Sequence, residues 1–410
     1  MVDLLLRRAR LMDGSFQDIT VRDGRILEMG TDLSCAARET IDVGGRLVIP
    51  AFVDAHTHLE KALVGVVAGA ASLEDAILAF ARLYDNLTKE DVQARAARVL
   101  EMAVGHGTGT MRSHVTVVPE IGLVALEALL ELKEKYASII DLQLVAMPAG
   151  VDYVLDRATL ELLEEAARLG VDALGGAPHL SRDPFESIDK TLYLAEKYGL
   201  PLDFHVDEHD EPDVRTLEYL AERARERGLT GRVVAGHCCA LAAVPDDVAH
   251  RVIEKVREAG LSIITLPSCN LYLMGRKDKQ PVRRGVTRVR ELLAAGVNVA
   301  YASDNIRDPF RPFGNADMLE EALITAQVLQ MGLPGELETV LRMGTYNAAA
   351  AAGLGEAYGL RPGAWADLVV LEAGSPAEAV ISQAAKSYVF KRGRLVARGS
   401  KHTEIYRQVD

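Results

Sequence analysis

The chain has 410 residues, 49% hydrophobic and 26% charged, an ordinary globular composition with room for one large domain or a large and a small one. Its formal net charge of −13 argues against nucleic acid or an anionic membrane as the main partner. No run approaches the ~18 apolar residues of a membrane span, and the start MVDLLLRRARLMDG lacks the apolar core of a signal peptide. Cys35, Cys238, Cys239 and Cys269 form neither a disulfide framework nor a CxxC pair, so a reducing cytoplasm is the expected compartment.

Residues 1–50 read as short strands separated by turns. VDLLLRRARL, DITV and ILEMG are apolar runs, RDGR between the last two is a turn signal, and GGRLVIP closes the segment. From residue 51 the pattern changes. Strand-like runs AFVDAHTH, GTGTMRSHVTV, IDLQLVAMPAG, ALGGAPH, PLDFHVDE, RVVAGHCC, SIITLPS and NVAYASD are separated by amphipathic helical stretches such as TLELLEEAARLG and DVAHRVIEKVREAG. Several helices stop at Gly, the usual residue just past a helix end. Eight strand–helix units imply a parallel sheet closed into a (β/α)8 barrel. An open doubly wound sheet is disfavoured because no G-x-G-x-x-G follows the first strand. After the barrel, ADLVVLEAG and SYVFKRGRLVARG return to the style of the N-terminus. The expected organisation is therefore an α/β TIM barrel over 51–355, with residues 1–50 and 356–410 forming one small β-sandwich domain.

In such a barrel functional residues gather at the C-terminal strand ends. Here those ends carry His56 and His58, His114, His205 with Asp207 and Glu208, His237, and Asp304. His56 and His58 are the most pointed pair: two residues apart on a strand, they face the same side and aim two imidazoles at one point. A lone buried histidine is more often packing than ligand, but repetition at one barrel rim is hard to explain by packing. Three imidazoles and a carboxylate make a shell for one divalent metal, zinc or iron, with a position left for water. Such a metal lowers the pKa of bound water, and a nearby carboxylic acid must then move protons. Glu208, three residues past His205, can reach the site without being a ligand, and His237 suits polarisation of an atom gaining charge.

The ordered motifs DAHTHLEK (54–61), RSHV (112–115), DLQLVAMP (141–148), HVDE (205–208), GHCCA (236–240), NLYLMGR (270–276), RRGVTRV (283–289) and SDNIRDPF (303–310) resemble the amidohydrolase superfamily and its cytosine-deaminase-like branch. GLRPGAWADLVVL (359–371) resembles the small β domain of that superfamily. The resemblance covers nearly the whole chain. It implies His56, His58, His205 and Asp304 as ligands of a single zinc or iron ion, and Glu208 as proton shuttle. It further implies His237 as the group that orients and polarises substrate or water, and Asp304 as acceptor of a proton from the attacking water. Lys61 is not implied as a ligand; substrate binding and a surface salt bridge are both open for it.

Three positions depart from the cytosine pattern. Enzymes of that type carry a glutamine after V-A-x-P, where this chain has Ala149. They carry an acid after the metal aspartate, here Asn305, and a tryptophan after D-P, here Phe310. Alanine cannot hydrogen-bond a ring amide, and an unpaired polar edge costs ~1–3 kcal/mol. The metal chemistry therefore carries over better than the substrate. His179 is a further candidate for substrate contact, and Asn270, Tyr272, Met274 and Arg276 for a lid or pocket wall. Asp54 is expected to support the metal from below. The expected activity is removal of an exocyclic amine from an N-heterocycle such as a pyrimidine, purine, pterin or triazine. The rival within enzymes is hydrolysis of an N-alkylamino or cyclic-amide substrate, as in the branch acting on N-isopropylammelide, which lacks a glutamate at the place of Glu208. The rival of another class is an inactive binding barrel. The expected partner is a small heterocycle, with no nucleic acid or membrane, and assembly into a homo-oligomer is left open.

Overall fold

The computed structural model describes residues 1–65, 72–149 and 155–406. The N-terminal segment forms β1 (Val2–Arg10), β2 (Phe16–Arg22), β3 (Arg25–Gly30), β4 (Ala37–Asp42) and β5 (Leu47–Pro50). The β2–β3 turn is the Asp-Gly signal: Asp23 and Gly24 both have positive φ (53° and 76°), as a type I′ hairpin requires. Next come the barrel strands β6 (Phe52–Thr57), β7 (Thr108–Thr116), β8 (Asp141–Met147), β9 (Ala173–Gly176), β10 (Leu202–Val206), β11 (Val233–His237), β12 (Ser262–Thr265) and β13 (Asn298–Tyr301). The chain then returns to the first sheet with β14 (Leu368–Leu371), β15 (Lys386–Lys391) and β16 (Arg394–Ala397).

The small domain is one continuous mixed sheet in the order β16-β15-β14-β5-β1-β2-β3, with β4 added against β1. It has its own core of Leu4, Leu6, Ile19, Val21, Leu368 and Phe390. β5 is the join: it pairs along its length with β14, Leu47 opposite Leu371, but touches β1 only at Arg10–Leu47. Lys391 ties this sheet to the barrel. Its buried ammonium donates to Asp141 and Asp367 at 2.6 Å each and to the Gly109 carbonyl.

The barrel strands pair in parallel in sequence order, β6 to β13. Their residues are buried almost throughout, as expected of a parallel sheet covered on both faces. Helix ends are set by Gly170, Gly199 and Gly260, each left-handed at the position just past a helix. The first and last strands meet at one place, the C-terminal rim, where Thr57 bridges Asp304 and the Asp304 amide donates to the His56 carbonyl at 2.9 Å.

Three local differences from the sequence reading matter for the site. The strand expected through Ser268 stops at Thr265, and Pro267 opens a helix, Pro267–Leu273. Proline fits the first helical turn because its missing N–H would be unpaired there anyway. β9 ends at Gly176, so His179 lies beyond the strand, in a 3-10 turn at Pro178–Leu180. A helix at Leu73–Ala81, capped by Ser72 accepting from the Asp75 amide, stands over the mouth and was not expected. No helix among the described residues is long and apolar enough to cross a membrane.

Candidate active site

His56 and His58 leave β6 with both rings buried, and His205 reaches the same point from β10. His205 Nε2 lies 3.2 Å from His56 Nε2 and 3.1 Å from His58 Nε2. Asp304 Oδ1 is 3.3 Å from His58 Nε2 and 3.8 Å from His56 Nε2. Bonds of ~2.0–2.1 Å to a tetrahedral metal place neighbouring ligand atoms ~3.4 Å apart, so these separations fit one small ion. Charge states agree. Burial pushes all three imidazoles down, keeping them neutral with a free lone pair. Burial opposes ionisation of Asp304, but the close approach of His58 and the nearby His237 outweigh it and hold its carboxyl well below the usual range. Two imidazole lone pairs facing each other at such distances repel unless a proton or cation lies between them. Both Asp304 oxygens are buried without a hydrogen-bond partner. The donor set is thus complete for a cation and unsatisfied without one.

His56 also lies within ligating reach of His237, and of His114 with Asp203. Neither set fits as well. The first set has no carboxylate to balance the charge of a divalent ion, and in the second Asp203 already takes Arg112 Nη1 at 2.8 Å. His114 stacks on His56 with centroids 4.0 Å apart, and its Nε2 is 3.5 Å from Asp203 Oδ1. Arg112, Asp203 and His114 form a buried polar floor under the ligand rings. Asp54 completes the support, accepting from the Ser303 amide at 3.0 Å and its hydroxyl at 2.6 Å, which fixes the strand end that carries Asp304. Gly236 supplies room: a Cβ there would lie 3.0 Å from the His56 ring.

The rim turns are made by left-handed residues. Asp207, His237, Cys238 and Asp304 all have positive φ, 44–66°, a conformation costing ~1–3 kcal/mol for a residue with a side chain. These turns aim His237 and Asp304 inward. Asp207 turns outward to accept from Thr216 Oγ1 and the Leu217 amide at the start of the next helix, so it meets the scaffold and not the metal cluster. Glu208 is buried beside His237, with Oε1 3.2 Å from His237 Nδ1. Burial, and then the negative Asp304, push its carboxyl well above the usual range, as a proton carrier requires. Burial lowers His237 to about 4.

A cavity of about 600 Å3, mouth included, opens above these groups. Lys61, Ala149, Asn305 and Phe310 line it, together with His58, His205, Glu208, His237 and Asp304. Lys61 is buried, not on the surface. Its ammonium sits 4.7 Å over the Phe310 ring and 5.3 Å over Phe80, with Glu60 Oε1 3.8 Å away. Asn305 lines the wall, but Cys269 donates to its carbonyl and its amide donates to Asp308 at 2.7 Å, so both polar ends are taken by protein. Around His179 the cavity wall is Ala177 and Leu180, and both His179 ring nitrogens are buried without partners. Asn270 is not a lid residue: it is buried against His237 and Glu208. Arg276 is exposed and stacks on Tyr272. The sequence reading missed the outer wall, Leu73, Ile77 and Phe80 on the helix over the mouth and Tyr84 after it. Ser72 and Asp75 at cap spacing before apolar residues were the available signal.

The barrel, the rim ligands and the added sheet define a class, and the chain belongs to the amidohydrolase family, whose pattern matches residues 71–397. It is a metal-dependent hydrolase of carbon–nitrogen bonds, and its barrel rim carries a histidine–aspartate cluster that could hold a metal ion. Among curated relatives, the N-isopropylammelide isopropyl amidohydrolase of Pseudomonas sp. (strain ADP) is 32% identical, covering 97% of each chain. The pterin deaminase of Rhizobium rhizogenes is 34% identical over 96% of this chain and 90% of its own. Among solved structures, 5-methylcytosine deaminase from Klebsiella pneumoniae, liganded with 5-fluorocytosine, superposes with a TM-score of 0.93 at 34% identity, over 98% of this chain and 99% of that one.

Proposed function

We propose that the protein is a single-metal deaminase that removes an exocyclic amine from an N-heterocycle, releasing ammonia. His56, His58, His205 and Asp304 hold one zinc or iron ion, and the observation carrying this is the convergence of their four ligand atoms at 3.1–3.8 Å. When bound, such an ion supplies hydroxide near neutral pH and acts as a Lewis acid. Asp304 accepts the proton of the attacking water on a carboxylate oxygen. Glu208 delivers its proton to the ring nitrogen, carries the remaining hydroxyl proton of the adduct to the departing amine as the carbonyl forms, and is reprotonated by the proton held on Asp304; its burial favours the protonated form. His237 donates toward the oxygen that gains charge. Lys61 offers a buried donor to a ring acceptor, and Phe310 supports that ammonium from below.

Three relatives with three different named substrates leave the heterocycle to the pocket. The small side chain of Ala149 and the apolar outer wall favour a ring larger or less polar-edged than cytosine, with pterins and 5-substituted pyrimidines the first choices. The buried free thiols Cys238, Cys239 and Cys269 support a reducing cytoplasm. The test is an ammonia-release screen of the Zn(II)- and Fe(II)-loaded chain over aminopyrimidines, aminopurines, pterins and triazines. Release from one class is expected. Release of isopropylamine from N-isopropylammelide, with no ammonia from any other compound, would replace this reading with that of the Pseudomonas relative.

A further inference from the structure

We propose that Asn270 is a positioning residue that decides which nitrogen of His237 carries the proton and which oxygen of Glu208 faces the substrate. The proposal rests on the reading of Glu208 and His237 given above and deepens it. Asn270 is 1% exposed. Its Nδ2 lies 3.1 Å from His237 Nδ1 and 3.4 Å from Glu208 Oε1. Those two atoms are themselves 3.2 Å apart. One amide group thus faces both groups that would move charge in the reaction.

An amide nitrogen has two hydrogens, one for each neighbour. When Asn270 donates to His237 Nδ1, that nitrogen is an acceptor and the ring proton resides on Nε2. Nε2 is buried without a protein partner, so its N–H is free to donate to the reacting oxygen. When Asn270 also donates to Glu208 Oε1, the other oxygen, Oε2, is left without a protein hydrogen bond among the described residues and becomes the one that exchanges a proton with substrate. Bare Nδ1 and Glu208 Oε1 are then two acceptors 3.2 Å apart, which the two amide hydrogens bridge, and the reversed amide would set its carbonyl oxygen there as a third acceptor. It would also draw the His237 proton to Nδ1, leaving Nε2 unable to donate.

The residue is held for this purpose. It sits in the short helix Pro267–Leu273, immediately after β12, with its amide donating to the Leu266 carbonyl at 3.0 Å and its carbonyl accepting from Met274 at 2.8 Å. Its neighbour Cys269 donates to Asn305, next to Asp304. The helix therefore fixes the rims of β11 and β13 from one side.

The experiment uses the full chain loaded with Zn(II) and labelled with 15N in its histidine rings, without substrate. The His237 resonances are identified by their loss in His237→Gln. The expected wild-type spectrum shows Nε2 protonated and Nδ1 bare. Asn270→Ala is expected to shift His237 toward a mixture of tautomers, and Asn270→Asp, similar in shape but only an acceptor, toward Nδ1–H. A wild-type spectrum with Nδ1–H, or a tautomer unchanged in the Asp variant, overturns the proposal, and the Asp variant decides it even where the Ala variant does not fold. In parallel, ammonia release is followed with cytosine, 5-methylcytosine and pterin. Asn270→Ala is expected to lower kcat by about tenfold or more with KM and bound zinc close to wild type. Loss of kcat only in proportion to lost zinc would reduce Asn270 to a structural part. If the wild type releases ammonia from none of these compounds, the deaminase reading fails for them, while the tautomer spectra still decide the role of Asn270.

Discussion

Glu208 and His205 sit three residues apart and make opposite predictions. His205 contacts two other ring nitrogens at the metal point, so His205→Ala is expected to abolish stoichiometric metal binding, measured by elemental analysis of the dialysed protein. Glu208 faces His237 and the cavity and contacts none of those ring nitrogens. Glu208→Gln is therefore expected to retain full metal while kcat falls by a factor of ~10²–10⁴, and near-normal turnover would remove it as proton carrier. Ala149→Gln tests the pocket: a glutamine at this cavity-lining position restores an amide partner, and kcat/KM on cytosine is expected to rise. An unchanged value would assign substrate choice to other wall residues. At this scale the sequence was readable where chemistry has few solutions: histidines at successive strand ends have little structural reason to recur. The burial of Asn270 against Glu208 and His237 was not readable in this way, because a polar residue in a seven-residue stretch after a strand looks the same whether it lines a lid or packs inward.

Strand ends position the site, and a glycine is part of the device. Gly236 lies in β11, and an added methyl would meet the His56 ring at 3.0–3.1 Å. Since this ring is packed between His114 and Gly236, Gly236→Ala is expected to tilt it and weaken zinc binding by about tenfold or more, read by competition with a chelator. The alternation of strands and helices made the barrel legible, since buried parallel strands read as apolar runs and helices announce their ends with glycine. Two elements escaped notice for physical reasons. β4 is mostly exposed and reads ARETID, so it lacks the alternation that marks a half-buried strand; pairing with β1 holds it. The helix Leu73–Ala81 is short and mainly apolar, and its inner side meets the cavity and its own packing cluster instead of the barrel wall.

On the scale of the whole molecule, the proposed metal site is also where the barrel closes, since His56 and Asp304 are both proposed ligands and partners across the seam. Ion binding to the folded state alone adds about RT ln(1 + [M]/Kd), some ~4 kcal/mol at a thousandfold excess over Kd. Chelation is accordingly expected to lower the thermal midpoint, with recovery on adding Zn(II); an unchanged midpoint would separate closure from metal. The pairing of Leu47 in β5 with Leu371 in β14 has a different consequence, for the order of events in the cell. A nascent chain presents β5 with one bare edge from the moment it emerges until β14 has been made, some three hundred residues later. Contacts so distant in sequence close late and slowly, and an open strand edge recruits other chains in the meantime. A chain ending before Leu368 is expected to collect in the insoluble fraction even though every proposed metal ligand is present, whereas a chain that carries β14 shields that edge. The small sheet thus acts as a proofreading clasp: it shuts only on a polypeptide that has been synthesised past β14.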